Sequence, residues 1–336
     1  MKPKPVRSPL EPLPELGAAL GIELFCKRDD MLPYYYGGNK VRKIFGICRQ
    51  AEALGCDAFV TTGGLHSNHA RVSALAAAAR GWRTTLVLHA EPGAEVSSGN
   101  ALLARLAGAD IVLVEPGEIA ATMQEAMTTL EKRGHTPFEI PGGGHCLSGS
   151  LGYVAAAHEL AAQFGAPCDA PDYVIVASGT GTTQAGLIVG CEQLGWSTRV
   201  LGISVARTQH RGTTVIDEAC AELRVHFSSR GDCPVRGVTS ELDHTHGGVE
   251  APRPTEFFDD WVGGGYEQVY PELLTTVRRA ARTGLILDPT YTGKAFQGLV
   301  SMVREGKIEA GARVVFWHTG GLINLLVSPQ RGLLLS

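Results

Sequence analysis

The residues of this sequence best placed to do chemistry begin at YYYGGNKVRK, residues 34–43. Gly37 and Gly38 allow a tight turn, Asn39 is a competent helix N-cap, and Val41, Ile44, Phe45, Cys48 and Ala51 then recur at helical spacing. Lys40 is therefore predicted in the first turn of a helix. There the positive helix end and the neighbouring Arg42 and Lys43 disfavour the ammonium form, which makes the amine more nucleophilic toward an aldehyde. A solvated lysine at a helix start would carry the same local pattern.

A second constellation, SGTGTTQAG at 178–186, lies between an apolar run and a helical one. Its glycines let a backbone approach closely, consecutive N–H groups form an anion nest, and the helix N-terminus adds positive potential. It lacks the GKS or GKT ending of a nucleotide loop and does not match GxGxxG, so a phosphomonoester suits it better than a nucleotide; an ordinary glycine-threonine turn is the alternative. Ser67-Asn68-His69 offers a helix cap together with groups able to hold a carboxylate or a phenolic oxygen. LDPTYTGKAFQGL (287–299) carries Tyr291 into a helix beginning near Thr292, and VVFWHTGGLINL (314–325) sets His318 and Thr319 after an apolar strand. Tyr291 is open to three readings: a core residue with a wet tip, an acid/base, or a stacking partner. His66 with His69, and His244 with His246, lack acidic or cysteine partners at ligand spacing, so no metal is expected.

The elements that must position these groups alternate. DAFVTT (57–62) precedes SNHARVSALAAAAR (67–80), WRTTLVLH (82–89) precedes VSSGNALLARLAG (96–108), and ADIVLVEP (109–116) precedes IAATMQEAMTTLEKRG (119–134). DYVIVASG (172–179) precedes TTQAGLIVGCEQLG (182–195), and TRVLGISVA (198–206) precedes a polar-capped helix near 212–224. Such alternation predicts an α/β fold with parallel sheets covered by helices, whose ligands lie beyond the carboxyl ends of the strands. The glycine-rich turns GGLHSNH, PGGGHCLSGS, SGTGTTQAG and HTGG all fall at those ends. Residues 225–265 have weak periodicity and many breakers, and read as a long irregular excursion.

At 336 residues the chain exceeds the ~250–300 at which single cores stop growing, so two lobes and a cleft are expected. A net charge of -4 gives no footprint for nucleic acid or an anionic membrane, which favours a small-molecule partner. Eight cysteines without a CxxC pair suggest a reduced chain, and the proline-broken start and the lack of a long apolar run point to the cytoplasm and away from the membrane.

Taken in order and spacing, GGNKVRK, GGLHSNHAR, SGTGTTQAG, LDPTYTGKAFQGL and HTGG resemble the motifs of the 1-aminocyclopropane-1-carboxylate deaminase and D-cysteine desulfhydrase family. These are fold-type II pyridoxal 5′-phosphate (PLP) enzymes, a family that also includes L-cysteate sulfo-lyases, and the resemblance covers roughly residues 8–325. It implies a two-domain fold like the tryptophan synthase β chain, with a large PLP-binding domain from 1–45 and 160–336, a small α/β domain from 46–159, and PLP in the cleft between them. It implies that Lys40 forms the Schiff base and moves the α-proton, with Lys43 as its neighbour. Gly179, Thr180, Gly181, Thr182 and Thr183 match the phosphate cup, and Thr319 matches the neutral partner of the pyridine nitrogen. Ser67, Asn68 and His69 match the motif against cofactor and substrate carboxylate. Tyr291, Tyr266 and Ser67 complete the implied catalytic set, and the partners implied are a small amino acid and a second copy in a homodimer.

Two departures bear on activity. The cyclopropane deaminases carry Glu where this chain has Thr292, as the desulfhydrases do, which argues against ring opening. Tyr34-Tyr35-Tyr36 replaces a less aromatic run, and His66 stands where many members have Gln; both are expected on the substrate side. The activity implied is an α,β-elimination on cysteine or a relative, giving pyruvate and ammonia. The alternative is a β-replacement synthase or tailoring enzyme acting on an unusual amino acid.

Overall fold

The computed structural model describes residues 7–90, 96–165, 169–229, 254–327 and 332. His244, His246, Cys168, Cys233 and most of the 225–265 excursion lie outside those residues.

Two runs of buried, β-branched sequence head the architecture. β7 (Tyr173–Ser178) is buried along its whole length, and β10 (Arg313–His318) from its second residue on. Strands covered on both faces read as continuous apolar runs and pair in parallel. They form the centre of a six-stranded sheet with β1 (Leu10–Pro12), β2 (Glu23–Arg28), β8 (Arg199–Ser204) and β9 (Phe257–Phe258), in the order β1-β2-β10-β7-β8-β9. Only β1 runs antiparallel in it. Period-two alternation splits the core. Ile175, Leu201, Val314 and Phe316 face Leu299 and Met302 of helix Thr292–Arg304, while Val174, Val176, Val315 and Trp317 face Tyr153 and Leu160 of helix Leu147–Phe164.

The second sheet is fully parallel. Its strands β3 (Ala58–Gly64), β4 (Arg83–His89), β5 (Asp110–Val114) and β6 (Pro137–Ile140) lie in the order β5-β4-β3-β6. Phe59 packs with helices Asn39–Ala53 and Asn68–Ala78 on one face, and Val60 and Val87 pack with Met123 and Leu130 of helix Ile119–Lys132 on the other. The α/β class and the parallel, helix-covered sheets thus agree with the sequence pattern. The helix expected near 212–224 runs longer, Gln209–Ser229. Among the described residues, no helix is long and apolar enough to cross a membrane, and the six described cysteines are free thiols.

Candidate active site

Lys40 owes its place to backbone contacts that only glycine permits. A Cβ on Gly37 (φ +66°) would sit 2.1 Å from the Asp30 carbonyl oxygen, and one on Gly320 would sit 2.7 Å from the Gly38 Cα. The Gly38 N–H donates to the Asp29 carbonyl (2.7 Å) and the Asn39 N–H to the Thr319 carbonyl (2.9 Å), so the loop before Lys40 is fastened to the end of β10. Asn39 is not the helix cap that the sequence suggests: Gly38 occupies that position. The Asn39 amide is drawn instead to the Thr183 hydroxyl, 3.2 Å away.

Lys40 and Lys43, three residues apart on one helix, both face a cavity of about 390 Å³. Burial lowers the Lys40 ammonium to about 8, against a smaller opposing effect of Lys43. Burial, and then the charge of Lys40, pushes Lys43 well below its ordinary value. Lys43 donates to the Gly143 carbonyl at 3.3 Å.

Across the cavity, β7 ends in Ser178 and the chain turns through Gly181 (φ +85°) into helix Thr182–Gln193. Ser178, Gly179, Thr180, Gly181 and Thr183 line the cavity, and the buried Ser178 hydroxyl has no partner. Thr182 is placed differently: its hydroxyl is fully buried against His145 Nδ1 (2.9 Å) and Thr180 Oγ1 (3.2 Å), off the cavity wall.

Ser67, Asn68 and His69 follow the end of β3 and line the same cavity. Ser67 Oγ accepts from the Ala70 N–H (3.2 Å) and caps helix Asn68–Ala78. His69 Nε2 lies 2.9 Å from Thr61 Oγ1, whose own proton goes to the Ile140 carbonyl (2.7 Å). The hydroxyl can only accept from the ring, so His69 carries its proton on Nε2. Burial, then the charges of Lys40 and Lys43, keep this imidazole neutral, well below its ordinary pKa.

Tyr266 and Tyr291 meet hydroxyl to hydroxyl at the cavity wall, their rings edge to face with centroids 5.9 Å apart. Burial pushes both phenols up, so both are protonated at neutral pH. Thr319 completes this side. Thr292, expected to decide the chemistry directly, does not line the cavity. Its hydroxyl donates to Asp288 Oδ1 (2.7 Å) and accepts from the Asp288 N–H (2.9 Å), and Asp288 also takes the N–H groups of Thr290, Tyr291 and Thr292. The expected substrate-side positions of the aromatic run and His66 are also corrected. Tyr34 and Tyr35 pack on Phe45, with centroids 5.2 and 6.2 Å away, Tyr36 is exposed, and His66 lies outside the lining.

The sequence reading missed Arg207 and His89, which line the cavity together with Gly143 of the PGGGHCLSGS turn. The first two lie at or just after the ends of β8 and β4, so the rule that ligands gather beyond strand ends was a usable signal for them. Among the described residues lining the cavity there is no Asp or Glu, although Lys40, Lys43 and Arg207 are all there. A buried amine poised near neutrality, an anion nest at a helix N-terminus, an orphaned Ser178 hydroxyl and uncompensated cations fit the aldehyde and phosphate of PLP.

The pyridoxal-phosphate dependent enzyme family matches residues 2–320. A Pyrococcus horikoshii protein, provisionally named 1-aminocyclopropane-1-carboxylate deaminase, is 34% identical over 95% of this chain and 90% of its own. A Klebsiella pneumoniae D-cysteine desulfhydrase is 34% identical over 94% and 91%. Among solved structures, a homologue of 1-aminocyclopropane-1-carboxylate deaminase superposes with TM-score 0.81 at 33% identity, covering 96% of this chain and 91% of that one. An O-ureido-L-serine synthase shares the fold, with TM-score 0.64 at 17% identity, covering 96% and 92%.

Proposed function

Because this chain belongs to the pyridoxal-phosphate dependent enzyme family and is a PLP-dependent lyase of the 1-aminocyclopropane-1-carboxylate deaminase and D-cysteine desulfhydrase type, we propose that it eliminates a β-leaving group from a small amino acid such as D-cysteine, giving pyruvate and ammonia. The observation that carries the reading is the cavity's charge: Lys40, lowered to about 8, faces the nest at 178–183 with no acid in the lining.

When bound, PLP supplies an electron sink for charge left on the substrate Cα. Lys40 holds the cofactor and moves the Cα proton through its Nζ, with Lys43 hydrogen-bonded beside it. Gly179, Thr180, Gly181 and Thr183 hold the phosphate, with Thr182 contributing through its backbone and through Thr180. Ser67 and Asn68 lie against the cofactor and the substrate carboxylate, and His69, neutral and with its Nε2–H given to Thr61, flanks them without donating to that carboxylate. The protonated phenols of Tyr291 and Tyr266 deliver a proton to the departing group. Thr319 offers a neutral hydroxyl at the remaining side. We take the two sheets as cores of two domains, 1–45 with 160–336 and 46–159, in a cytoplasmic homodimer.

The lack of a carboxylate among the described lining residues favours elimination over ring opening. A neutral partner leaves the cofactor ring a weaker sink, which suits expulsion of a good leaving group better than cleavage of a cyclopropane. The purified enzyme is expected to release pyruvate from β-chloro-D-alanine or D-cysteine and little 2-oxobutanoate from 1-aminocyclopropane-1-carboxylate. Faster 2-oxobutanoate release than pyruvate release reverses the assignment.

A further inference from the structure

We infer that Arg71 is a positioning residue which turns Asn68 into a hydrogen-bond donor facing the cavity, so that Asn68 holds an anionic oxygen of whatever binds there. The inference stands on the cavity being the PLP site and not on the choice of reaction, and its tests use cofactor-bound protein that is not turning over.

Arg71 lies on helix Asn68–Ala78, one turn after Asn68, and is 2% exposed. Its hydrogen bonds go to neutral oxygens: Nη1 donates to Asn68 Oδ1 (3.2 Å) and Asn100 Oδ1 (2.9 Å), and Nη2 to the Gly37 carbonyl (3.1 Å). Burial lowers the guanidinium to about 10, which leaves it charged at neutral pH. A guanidinium has donors only, so the amide atom facing Arg71 must be the oxygen. Asn100 stands beside it: its Nδ2 donates to the His66 carbonyl (2.7 Å) and Asn324 Oδ1 (2.8 Å), and the same NH2 faces Asn68 Oδ1 at 3.1 Å, so an oxygen and not a second NH2 belongs there. With the Asn68 oxygen turned to Arg71 on the protein side, the NH2 end is the one left for the cavity that Asn68 lines. The same guanidinium holds Gly37, three residues before Lys40. A single buried charge therefore sets both the polarity of Asn68 and the loop that carries the lysine.

An anionic oxygen on the cavity side could belong to the cofactor or to the substrate carboxylate, and two measurements separate them. The first is the visible spectrum and PLP dissociation constant without amino acid. The second is the dissociation constant of D-alanine, which has no β-leaving group, read from the spectral change it causes. Arg71→Gln is expected to shift one of these by about tenfold, the scale of a lost charge-assisted hydrogen bond. Asn68→Ala removes the donor to the cavity without placing a new charge beside Arg71. In that background Arg71→Gln is expected to have much less than its tenfold effect on the same measurement, because the donor it positions is already gone and only its hold on Gly37 remains. A change in spectrum or PLP affinity assigns the oxygen to the cofactor, and a change confined to D-alanine assigns it to the substrate. If the effects of the two substitutions multiply, Arg71 acts only on the fold and the inference fails. It fails equally if Arg71→Gln leaves both measurements as they were. Should Arg71→Gln not fold, Asn100→Ala removes the second restraint on Asn68 while keeping the guanidinium. It must weaken the same measurement, and no change there overturns the inference.

Discussion

Helix Asn39–Ala53 has buried cations on two sides, and the molecule treats them in opposite ways. Arg42 points away from the cavity into a closed network. Its Nε and Nη2 bond Asp29 Oδ1 (2.9 and 2.8 Å), and its Nη1 bonds Glu159 Oε2 (2.8 Å), whose other oxygen meets Lys27. Asp29 takes in addition the Tyr153 hydroxyl (2.6 Å) and Trp317 Nε1 (2.8 Å). Burial pushes the Asp29 carboxyl up, but the Arg42 guanidinium outweighs it and holds the group below its ordinary value. Lys40 and Lys43 have no such acid. The difference teaches how to read a buried charge. One that is fully paired serves the fold, whereas one left unpaired, at a cost in stability, is reserved for a charge that arrives with the ligand.

That contrast can be broken most completely at Lys40. Lys40→Ala is expected to abolish covalent trapping of PLP by borohydride, seen as loss of the labelled peptide; trapping on another lysine would empty the cavity side of its meaning. Next in size is a pair of substitutions expected to move apart. Arg42→Met leaves Asp29 buried without its counter-charge and should cost about 3–5 kcal/mol in urea unfolding. Lys43→Met removes a buried amine that no acid among the described residues pairs, and should leave the cofactor-free protein as stable or more so, while weakening PLP binding. Equal losses of stability from both would erase the distinction. The smallest effect is in pH. Attachment of PLP needs the neutral amine, whose fraction grows as pH rises toward the Lys40 value of about 8. The attachment rate should therefore rise about tenfold per unit below pH 8 and level off above it, where an ordinary lysine would keep rising to about 10.4. A rate still climbing at pH 9.5 would return Lys40 to the solvated class.

The sequence made the strand ends legible because period and punctuation are local. β7 and β10 announce themselves as apolar runs, and the turns after them carry the glycines that the cavity uses. What it hid depended on distant partners. Arg42 sits between two lysines in the chain and reads as a third, until Asp29 and Glu159 arrive from other elements to claim it. Thr292 reads as a site residue because it follows Tyr291, but Asp288 captures its hydroxyl. Arg71 lies one helical turn beyond a recognised motif, and its meaning comes from Gly37 and Asn100, each about thirty residues away or more.

The strand order has a consequence for synthesis of the protein. β10 is last in chain order among the described strands, yet it lies between β2 and β7 and pairs with both. A ribosome-bound chain that has emerged only as far as residue 312 therefore holds two unpaired strand edges, and the Thr319 carbonyl that fastens the Lys40 loop has not yet reached its place. Open edges of this kind recruit other chains. A delay between the emergence of β7 and that of β10 would lengthen the interval of greatest aggregation risk, and chaperone demand should drop once β10 is released.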